Sequence, residues 1–264
     1  MPKTIHSMTV EAVVLRHSEW GEADRLLVLF TRETGKLRAV AKGVRKLLSR
    51  KAGHLQPFTR VKVQAAHGRD FWIITQAETV EAYLPLREDL LRVAYATYVI
   101  ELIDRFTYDE GSNPMLYQLL VDTLERVSSL PDPFIAVRYY EIHLLDLVGF
   151  RPELFRCVEC GAAVQAEDQY FDSLMGGVIC PRCADRFPAA RPITVGALKF
   201  LRHLQRSTFK VAERANPSGT ERAEMESLLN YFITYLLERR MNSPHFLHEV
   251  RHNQYKAGGK PAEG

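Results

Sequence analysis

The stretch DRLLVLFTRETGKLRAVAKG, residues 24–43, decides the fold of the N-terminal part of the chain. An apolar run closes at a Glu-Thr-Gly turn, and a second run of alternating residues follows at once. Two such runs joined by a short turn that contains glycine predict a β-hairpin. Because side chains alternate in a strand, the second run has two distinct faces. One face carries Leu37, Ala39 and Ala41, and the other carries Lys36, Arg38 and Lys42. The hairpin is therefore predicted to present three cations in a row.

Three further strands are predicted around this hairpin. They are MTVEAVVLRH at 8–17, TRVKVQAAH at 59–67 and FWIITQAETVEAY at 71–83. In the second of these, Val61, Val63 and Ala65 are predicted to face inward. Five short strands with turn signals between them predict a small closed barrel of the OB-fold type, a fold that binds oligonucleotides.

The hairpin leads into a segment that carries charge of one sign only. Between Gly35 and Gly53 there are seven basic residues and no acidic residue. The seven are Lys36, Arg38, Lys42, Arg45, Lys46, Arg50 and Lys51. A cluster of one sign repels itself, which favours a polyanion as its ligand, and nucleic acid is the commonest polyanion. Residues 43–56 lack strand alternation and are predicted to form a basic loop. The alternative is a solvated loop without a ligand.

The net charge of the whole chain hides an uneven distribution of charge along the sequence. The chain has 264 residues and a formal net charge of +3, enough length for two or three domains. Residues 1–80 hold 14 basic and 7 acidic residues, whereas the remainder holds 21 basic and 25 acidic residues. No signal peptide and no apolar run of about 20 residues is visible. We therefore expect a cytoplasmic protein without membrane attachment, whose thiols stay reduced.

Beyond the barrel the period of the apolar residues changes to that of a helix. Helices are predicted over 86–110, 114–130, 134–150, 195–207 and 225–241. Asn113-Pro114 and Asp132-Pro133 supply N-terminal signals, and Gly149 supplies a stop. These helices are predicted to form a bundle whose apolar stripes are core.

Four cysteines interrupt the helical region in the pattern C-x2-C-x19-C-x2-C. They are Cys157, Cys160, Cys180 and Cys183. Each C-x-x-C turn aims two thiolates at one point, so the pair of turns predicts a four-sulfur zinc site. Four thiolates leave no open position on the metal, so we expect one structural zinc ion per chain. Disulfides and redox chemistry are the alternatives, and a reducing compartment disfavours the first.

A second cationic surface is predicted on the helix at 195–207. Lys199, Arg202, His203 and Arg206 share one of its faces. This face is a candidate secondary DNA-binding surface, although a solvated helix face fits the same pattern equally well.

No catalytic residues are predicted. The segment His248-Glu249-Val250-Arg251-His252 matches the H-E-x-x-H pattern of zinc hydrolases, but its flanks are polar, and only Glu263 in the tail could supply a downstream carboxylate ligand. The chain also lacks a P-loop, a G-x-S-x-G motif and a G-x-G-x-x-G motif. The sequence therefore indicates a binding protein and not an enzyme.

Several segments, in this order, resemble the bacterial recombination-mediator and DNA repair family RecO. They are EAVVLRHSEWGEADRLLVLFTRETGKLRAVAKGVRK, LQPFTRVKV, HLLDLVGFRPELFRCVECG, FDSLMGGVICPRC and LLERRMNSPHFL. The resemblance covers most of the chain. It implies an N-terminal OB-fold, a helical domain and a zinc-binding module.

The resemblance also implies a function. Proteins similar to this one bind single- and double-stranded DNA, anneal complementary strands, and act with RecR and the acidic tail of single-strand-binding protein to help load RecA. The expected fold class is α+β, with an OB-fold domain at 1–82 and a helical domain at 83–150 and 187–250. A four-cysteine zinc-binding module at 151–186 and a flexible tail at 251–264 complete the expectation. The location would be cytoplasmic and nucleoid-associated. An RNA-binding protein built from an OB-fold and a zinc ribbon is the alternative function.

Overall fold

A computed structural model describes residues 7–108, 111–237 and Val250. The first of two structural units ends at Ser129, and the second begins at Leu130. The domain boundaries expected from the sequence differ from this division and stay a prediction. The H-E-x-x-H segment, apart from Val250, and the tail at 251–264 lie outside the described residues.

The first unit contains the predicted five-stranded barrel. Its strands are β1 (Ser7–Trp20), β2 (Asp24–Thr31), β3 (Gly35–Ala41), β4 (Arg60–His67) and β5 (Trp72–Glu81). They close in the order β1-β2-β3-β5-β4. The β3–β5 pairing is parallel and the other pairings are antiparallel. This arrangement confirms the predicted OB-type barrel.

The barrel interior follows the predicted alternation. Its core includes Leu37, Ala39, Ala41, Val61 and Val63. Strand β1 is longer than expected: it continues through Trp20, because one part of it pairs with β4 and a later part pairs with β2. An irregularity between Val14 and Arg16 shifts its register with β2. The long strand β1 thus closes the barrel, because it pairs with both β2 and β4.

In the part of the first unit that the structure describes, three helices follow the barrel: α1 (Pro85–Glu88), α2 (Leu90–Phe106) and α3 (Pro114–Ser129). The predicted helix from residue 86 is divided because Asp89 is extended and caps α2, accepting a hydrogen bond from the backbone N–H of Arg92. The Asn113 side chain accepts from the N–H of Leu116 at 3.1 Å, as an N-cap should.

Among its described residues up to 237, the second unit joins four α-helices to a small sheet. The helices are α4 (Phe134–Leu147), α5 (Val195–Arg206), α6 (Phe209–Ala212) and α7 (Gly219–Leu236). The strands β6 (Gln169–Asp172), β7 (Gly177–Ile179) and β8 (Arg191–Ile193) form an antiparallel sheet in the order β7-β6-β8.

Two helix ends show how local sequence sets these boundaries. Gly149, with a φ of +86°, ends α4, and the N–H of Phe150 returns to the carbonyl of Leu145 at 2.7 Å. Helix α7 begins at Gly219, earlier than the Met225 expected, because Ser218 and Glu221 form a capping box. No described helix has the length and apolar character that a membrane span would need.

Candidate nucleic-acid interface and metal centre

The basic loop between β3 and β4 is anchored to the barrel at both ends. At its start, the N–H of Gly43 donates to Asp24 Oδ1 at 2.7 Å and the N–H of Arg45 donates to the carbonyl of Ala23 at 2.9 Å. Val44 and Leu55 bury their side chains in the barrel core. The loop therefore leaves and re-enters the barrel at fixed points, with residues 46–53 between them.

The seven predicted DNA-binding cations divide into two groups by exposure. Five are exposed at the surface: Arg38, Lys42, Arg45, Lys46 and Arg50. Lys36 is buried and Lys51 is half-buried. The structure thus brings most of the predicted set together on β3 and the loop that follows it.

The exposure expected for Lys36 is contradicted. Its side chain is only 8% exposed and forms an ion pair with Asp104 Oδ1 of α2 at 3.0 Å. Lys36 Nζ also donates to the backbone carbonyl of Asp104. Strand alternation does place Lys36 on the outer face, but α2 covers that part of the face. The expected row of three exposed cations is therefore shortened to Arg38 and Lys42.

The side chain of Asp104 connects α2 to the barrel. Besides Lys36, it accepts a hydrogen bond from Arg16 Nε at 2.9 Å. Burial alone would raise the pKa of Asp104, but these two cationic donors outweigh burial and lower the pKa below its usual value. Asp104 therefore carries its negative charge at neutral pH and balances two barrel cations.

Two of the loop cations also make contacts within the barrel. Arg45 Nη2 lies 3.2 Å from Glu19 Oε1 at the surface. Lys51 Nζ donates to the carbonyl of Ile74 at 3.0 Å, and burial lowers the pKa of Lys51. Lys51 therefore attaches the loop to β5. The ion pair between Arg45 and Glu19 is exposed to solvent, so another anion can take the place of Glu19.

The aromatic residues near the barrel end are arranged in two pairs. Trp20 is 45% exposed, and its ring meets that of Phe71 edge to face at 5.6 Å. Trp72 packs against the core and meets His67 at 5.2 Å. Of the adjacent pair at 71 and 72, Trp72 therefore belongs to the barrel, and Phe71 joins Trp20 at the rim.

The four cysteines converge in the second unit. All four thiols are free, and their sulfur atoms lie within 4.8 Å of one another. The Cys160 and Cys180 sulfurs are 3.8 Å apart. A tetrahedral ion with metal–sulfur distances of about 2.3 Å separates its ligands by about 3.8 Å, so the cluster fits such an ion. These four residues could hold a metal ion.

Each half of the cluster is a tight turn. The N–H of Gly161 donates to the carbonyl of Cys157 at 2.8 Å, and Gly161 has a φ of +73°. The N–H of Cys183 donates to the carbonyl of Cys180 at 2.9 Å, directly after β7. Spacing alone thus closes both turns, and the pairing of β6 with β7 fixes the second one in place.

The pKa values of the Cys157 and Cys183 thiols are shifted in opposite directions. Burial works to raise the pKa of Cys157, but backbone N–H groups, led by that of Cys160, outweigh it and lower the pKa to about 6. Burial and hydrogen bonds with the neighbouring thiols raise the pKa of Cys183 to about 12. Four negative sulfurs at this distance repel one another, so a bound dication is what would allow all four to lose their protons.

The two glycines that precede the second cysteine turn are required by geometry. Gly176 has a φ of +66°, which side-chain-bearing residues rarely adopt. A Cβ at Gly177 would lie 2.5 Å from Val158 Cγ1 and 2.8 Å from the carbonyl oxygen of Glu153. The absence of a Cβ lets the first cysteine turn approach β7, where the N–H of Val158 donates to the carbonyl of Val178 at 2.9 Å, so Gly177 supports the cluster.

The second cationic surface, on α5, is partly occupied by structural contacts. Arg202 Nε donates to the carbonyl of Leu154 at 2.7 Å, and Arg206 stacks over the ring of Phe155 at 4.3 Å. Lys199 and Arg206 are exposed, while Arg202 and His203 are half-buried. The predicted face exists, but Arg202 serves to hold the cysteine-bearing segment against α5.

Three features of these sites were missed by sequence reasoning. Asp104 gives no local signal, because its partners are far away in the chain. Arg186 pairs with Glu159 at 2.6 Å and donates to Cys183 Sγ, a role that its position three residues after a cysteine could have suggested. The third feature is the pair Leu47 and Leu48, which is fully exposed within the basic loop.

Comparison with known proteins places both parts of the chain in one family. Residues 5–83 match the family model Recombination protein O N terminal, and residues 87–245 match Recombination protein O C terminal. A protein of Roseiflexus sp. (strain RS-1) named DNA repair protein RecO is 39% identical over 241 residues, which cover 91% of this chain and 85% of the relative.

Two other relatives carry the same name. That of Symbiobacterium thermophilum is 38% identical, over 92% of this chain and 97% of its own length. That of Dehalococcoides mccartyi is 35% identical, over 89% of this chain and 92% of its own. Because the two family models match in chain order and the relatives align over most of their length, the chain belongs to the RecO family.

Proposed function

We propose that this chain is a DNA-binding recombination mediator that acts in DNA repair and homologous recombination. The observation that carries the proposal is the group of five exposed cations on β3 and the basic loop, in a segment without any acidic residue from 35 to 53. Membership of the RecO family, whose relatives bear the name DNA repair protein, supports DNA as the polyanion.

The cations would act on the phosphate backbone. Lysine and arginine side chains that replace condensed counterions bind strongly at low salt and without regard to base sequence. A mediator needs this tolerance, because damage occurs at any sequence. Bringing two complementary strands together also requires their mutual repulsion to be neutralised, so the same surface supports annealing. No covalent bond changes, so no nucleophile or general base is needed.

The site residues take different parts in this proposal. Direct phosphate contact is assigned to Arg38, Lys42, Arg45, Lys46 and Arg50. Lys36 and Lys51 are assigned to holding the strand and the loop in position, since both are engaged with backbone carbonyls. On α5, Lys199 and Arg206 are proposed as a secondary DNA-binding pair, with Arg202 in a supporting position.

We assign zinc to the four-cysteine cluster as one structural ion per chain. The sulfur-only donor set and its compact spacing suit zinc, and four ligands leave no position for substrate. The ion would stabilise the segment 151–186, whose described strands are short. This segment, the barrel at 1–82 and the helical domain at 83–150 and 187–250 are the proposed domains.

The proposed partners are single- and double-stranded DNA, RecR, the acidic tail of single-strand-binding protein and, through these, RecA. The RecO family membership supports this set, and a nucleoid-associated location would follow from it. No residue of this chain is assigned to a protein partner.

An annealing assay tests the proposal. Two complementary oligonucleotides with donor and acceptor dyes should pair faster with the chain present, also when one strand is coated with single-strand-binding protein. The variant Lys42→Glu/Lys46→Glu/Arg50→Glu should lose this acceleration, whereas Lys210→Glu, an exposed lysine outside both basic surfaces, should keep it. Equal acceleration by both variants would remove the loop from the site. A preference for RNA over single-stranded DNA in competition would favour the RNA-binding alternative.

A further inference from the structure

The tip of the basic loop carries two leucines that the fold leaves in solvent. Leu47 and Leu48 are 104% and 95% exposed. They occupy the two central positions of a turn closed by the N–H of Ser49, which donates to the carbonyl of Lys46 at 2.9 Å. Such positions are usually taken by glycine, proline, asparagine or aspartate. Turn chemistry therefore does not account for two large apolar side chains here.

Nor does packing account for them. The apolar residues on either side of the tip, Val44 and Leu55, are 1% and 0% exposed and belong to the barrel core. Between these anchors, Ala52 packs against the core and Lys51 is half-buried, whereas Leu47 and Leu48 do not belong to the core cluster. The leucine pair is thus held outward by its position in the loop, and its apolar surface is available to a ligand.

The surroundings of the leucines show what chemistry that ligand has. Arg45 and Lys46 precede the pair, Arg50 follows two residues after it, and all three are exposed. Cations on both sides of an apolar tip complement a molecule with anions on its outside and apolar faces within. A nucleic acid strand has this structure, with phosphates outside and the planar faces of bases between them. Proteins that deform nucleic acid insert leucine and similar side chains between base steps.

Resting on the DNA-binding role proposed above, we infer that Leu47 and Leu48 form an apolar wedge that enters between neighbouring bases of the bound strand. Arg45, Lys46 and Arg50 hold the phosphates on either side of the inserted pair. The wedge separates stacked bases without reading them, because the faces of all bases are apolar. A strand held in this way presents its bases apart from one another, ready to pair with a complement.

An anionic membrane would also attract a cationic loop with an apolar tip. Two leucines are a small anchor, however, and stable membrane attachment generally needs two strong signals. The loop also connects β3 and β4 of an OB-type barrel in a chain of the RecO family. These observations favour a nucleic acid strand as the occupant.

The wedge can be tested with a fluorescent base analogue that brightens when it loses its stacking neighbours. The probe is a single-stranded DNA of about 16 nucleotides, the upper site size of one OB-fold, with 2-aminopurine at its centre. The wild-type chain should raise the fluorescence about twofold as it unstacks the analogue. Leu47→Ala/Leu48→Ala should abolish most of this rise, while Leu47→Met/Leu48→Met, which keeps apolar bulk, should retain it.

The control variant is Leu174→Ala, which removes an equally apolar side chain that is 74% exposed but lies in the turn between β6 and β7. It should behave as the wild type. In the same samples, the salt dependence of binding reports on phosphate contacts, and it should be the same for Leu47→Ala/Leu48→Ala and the wild type.

Three results would overturn the wedge. One is an equal fluorescence rise for the wild type and Leu47→Ala/Leu48→Ala at saturating protein. Another is binding of the wild type to phosphatidylglycerol vesicles that this variant loses while its DNA signal is unchanged, which would identify a membrane as the occupant. The third is failure of the wild type to bind the DNA at all, which would refute the proposed function as well and is detected before any variant is compared.

Discussion

The division of the basic residues into exposed and buried groups makes a quantitative prediction about salt. Each phosphate contact on a single strand contributes about −0.7 to the slope of log binding constant against log salt concentration. If the five exposed cations each make one contact, the slope is about −3.5, and affinity falls about 130-fold between 50 and 200 mM salt.

Removing Lys42, Lys46 and Arg50 should flatten that slope. With Arg38 and Arg45 left, Lys42→Ala/Lys46→Ala/Arg50→Ala is expected to have a slope of about −1.4 and to lose only about sevenfold in affinity over the same range of salt. Fluorescence anisotropy of a dye-labelled oligonucleotide, titrated at four or more salt concentrations, measures both slopes.

Lys36→Ala is the discriminating control. Its ammonium group is buried against Asp104, so this variant should leave the slope unchanged and lower the free energy of unfolding by about 2 kcal/mol, the worth of hydrogen bonds to a charged group. The reasoning is refuted if Lys36→Ala flattens the slope by as much as one loop lysine does, or if the triple variant keeps the slope of the wild type.

Three other predictions concern the parts that hold the sites in place. Cys180→Ser should lose the proposed zinc ion and melt at a lower temperature than the wild type. Ser218→Ala should keep the metal content of the wild type and lose only about 1 kcal/mol of stability with its helix cap. Metal analysis and thermal melting separate the two variants, and zinc retained by Cys180→Ser would contradict the four-sulfur site. Asp104→Asn should be less stable at pH 7, because a carboxylate with a lowered pKa stabilises the fold above its unfolded pKa. The wild type should lose that contribution as the pH falls through the folded pKa of Asp104. The free energies of unfolding of the two proteins, measured with urea, should therefore converge below about pH 4. A constant difference down to about pH 2 would contradict the lowered pKa of Asp104. Gly177→Ala should cost about 2 kcal/mol, because its Cβ would meet the neighbouring cysteine turn, and an unchanged melting temperature would show that the turn can move aside.

The barrel was predictable because its information is local. Alternation in β3 and β4 assigned the inward residues, and the Glu-Thr-Gly turn assigned the hairpin. The cysteine cluster was equally predictable, since each C-x-x-C turn is closed by its own spacing. Local patterns of this kind need no knowledge of distant parts of the chain.

The burial of Lys36 could not be predicted in the same way. Alternation says which face of a strand a residue occupies, but it does not say what covers that face. The cover comes from Asp104, which is 68 residues later in the chain. The start of α7, by contrast, was predictable: the pattern from Ser218 to Glu221 is a capping box, and a reading by apolar period alone missed it.

The anchoring of the basic loop has a consequence for how its length can vary. Because Val44 and Lys51 are held against the barrel, residues inserted between Lys46 and Arg50 leave those contacts unchanged. Doubling the length of a flexible loop costs only about 0.6 kcal/mol of closure entropy. The distance that the loop tip reaches from the barrel can therefore change by insertion or deletion at little cost in stability. Relatives with the same barrel are free to differ in the length of this loop, and an engineered chain could be adjusted in the same way.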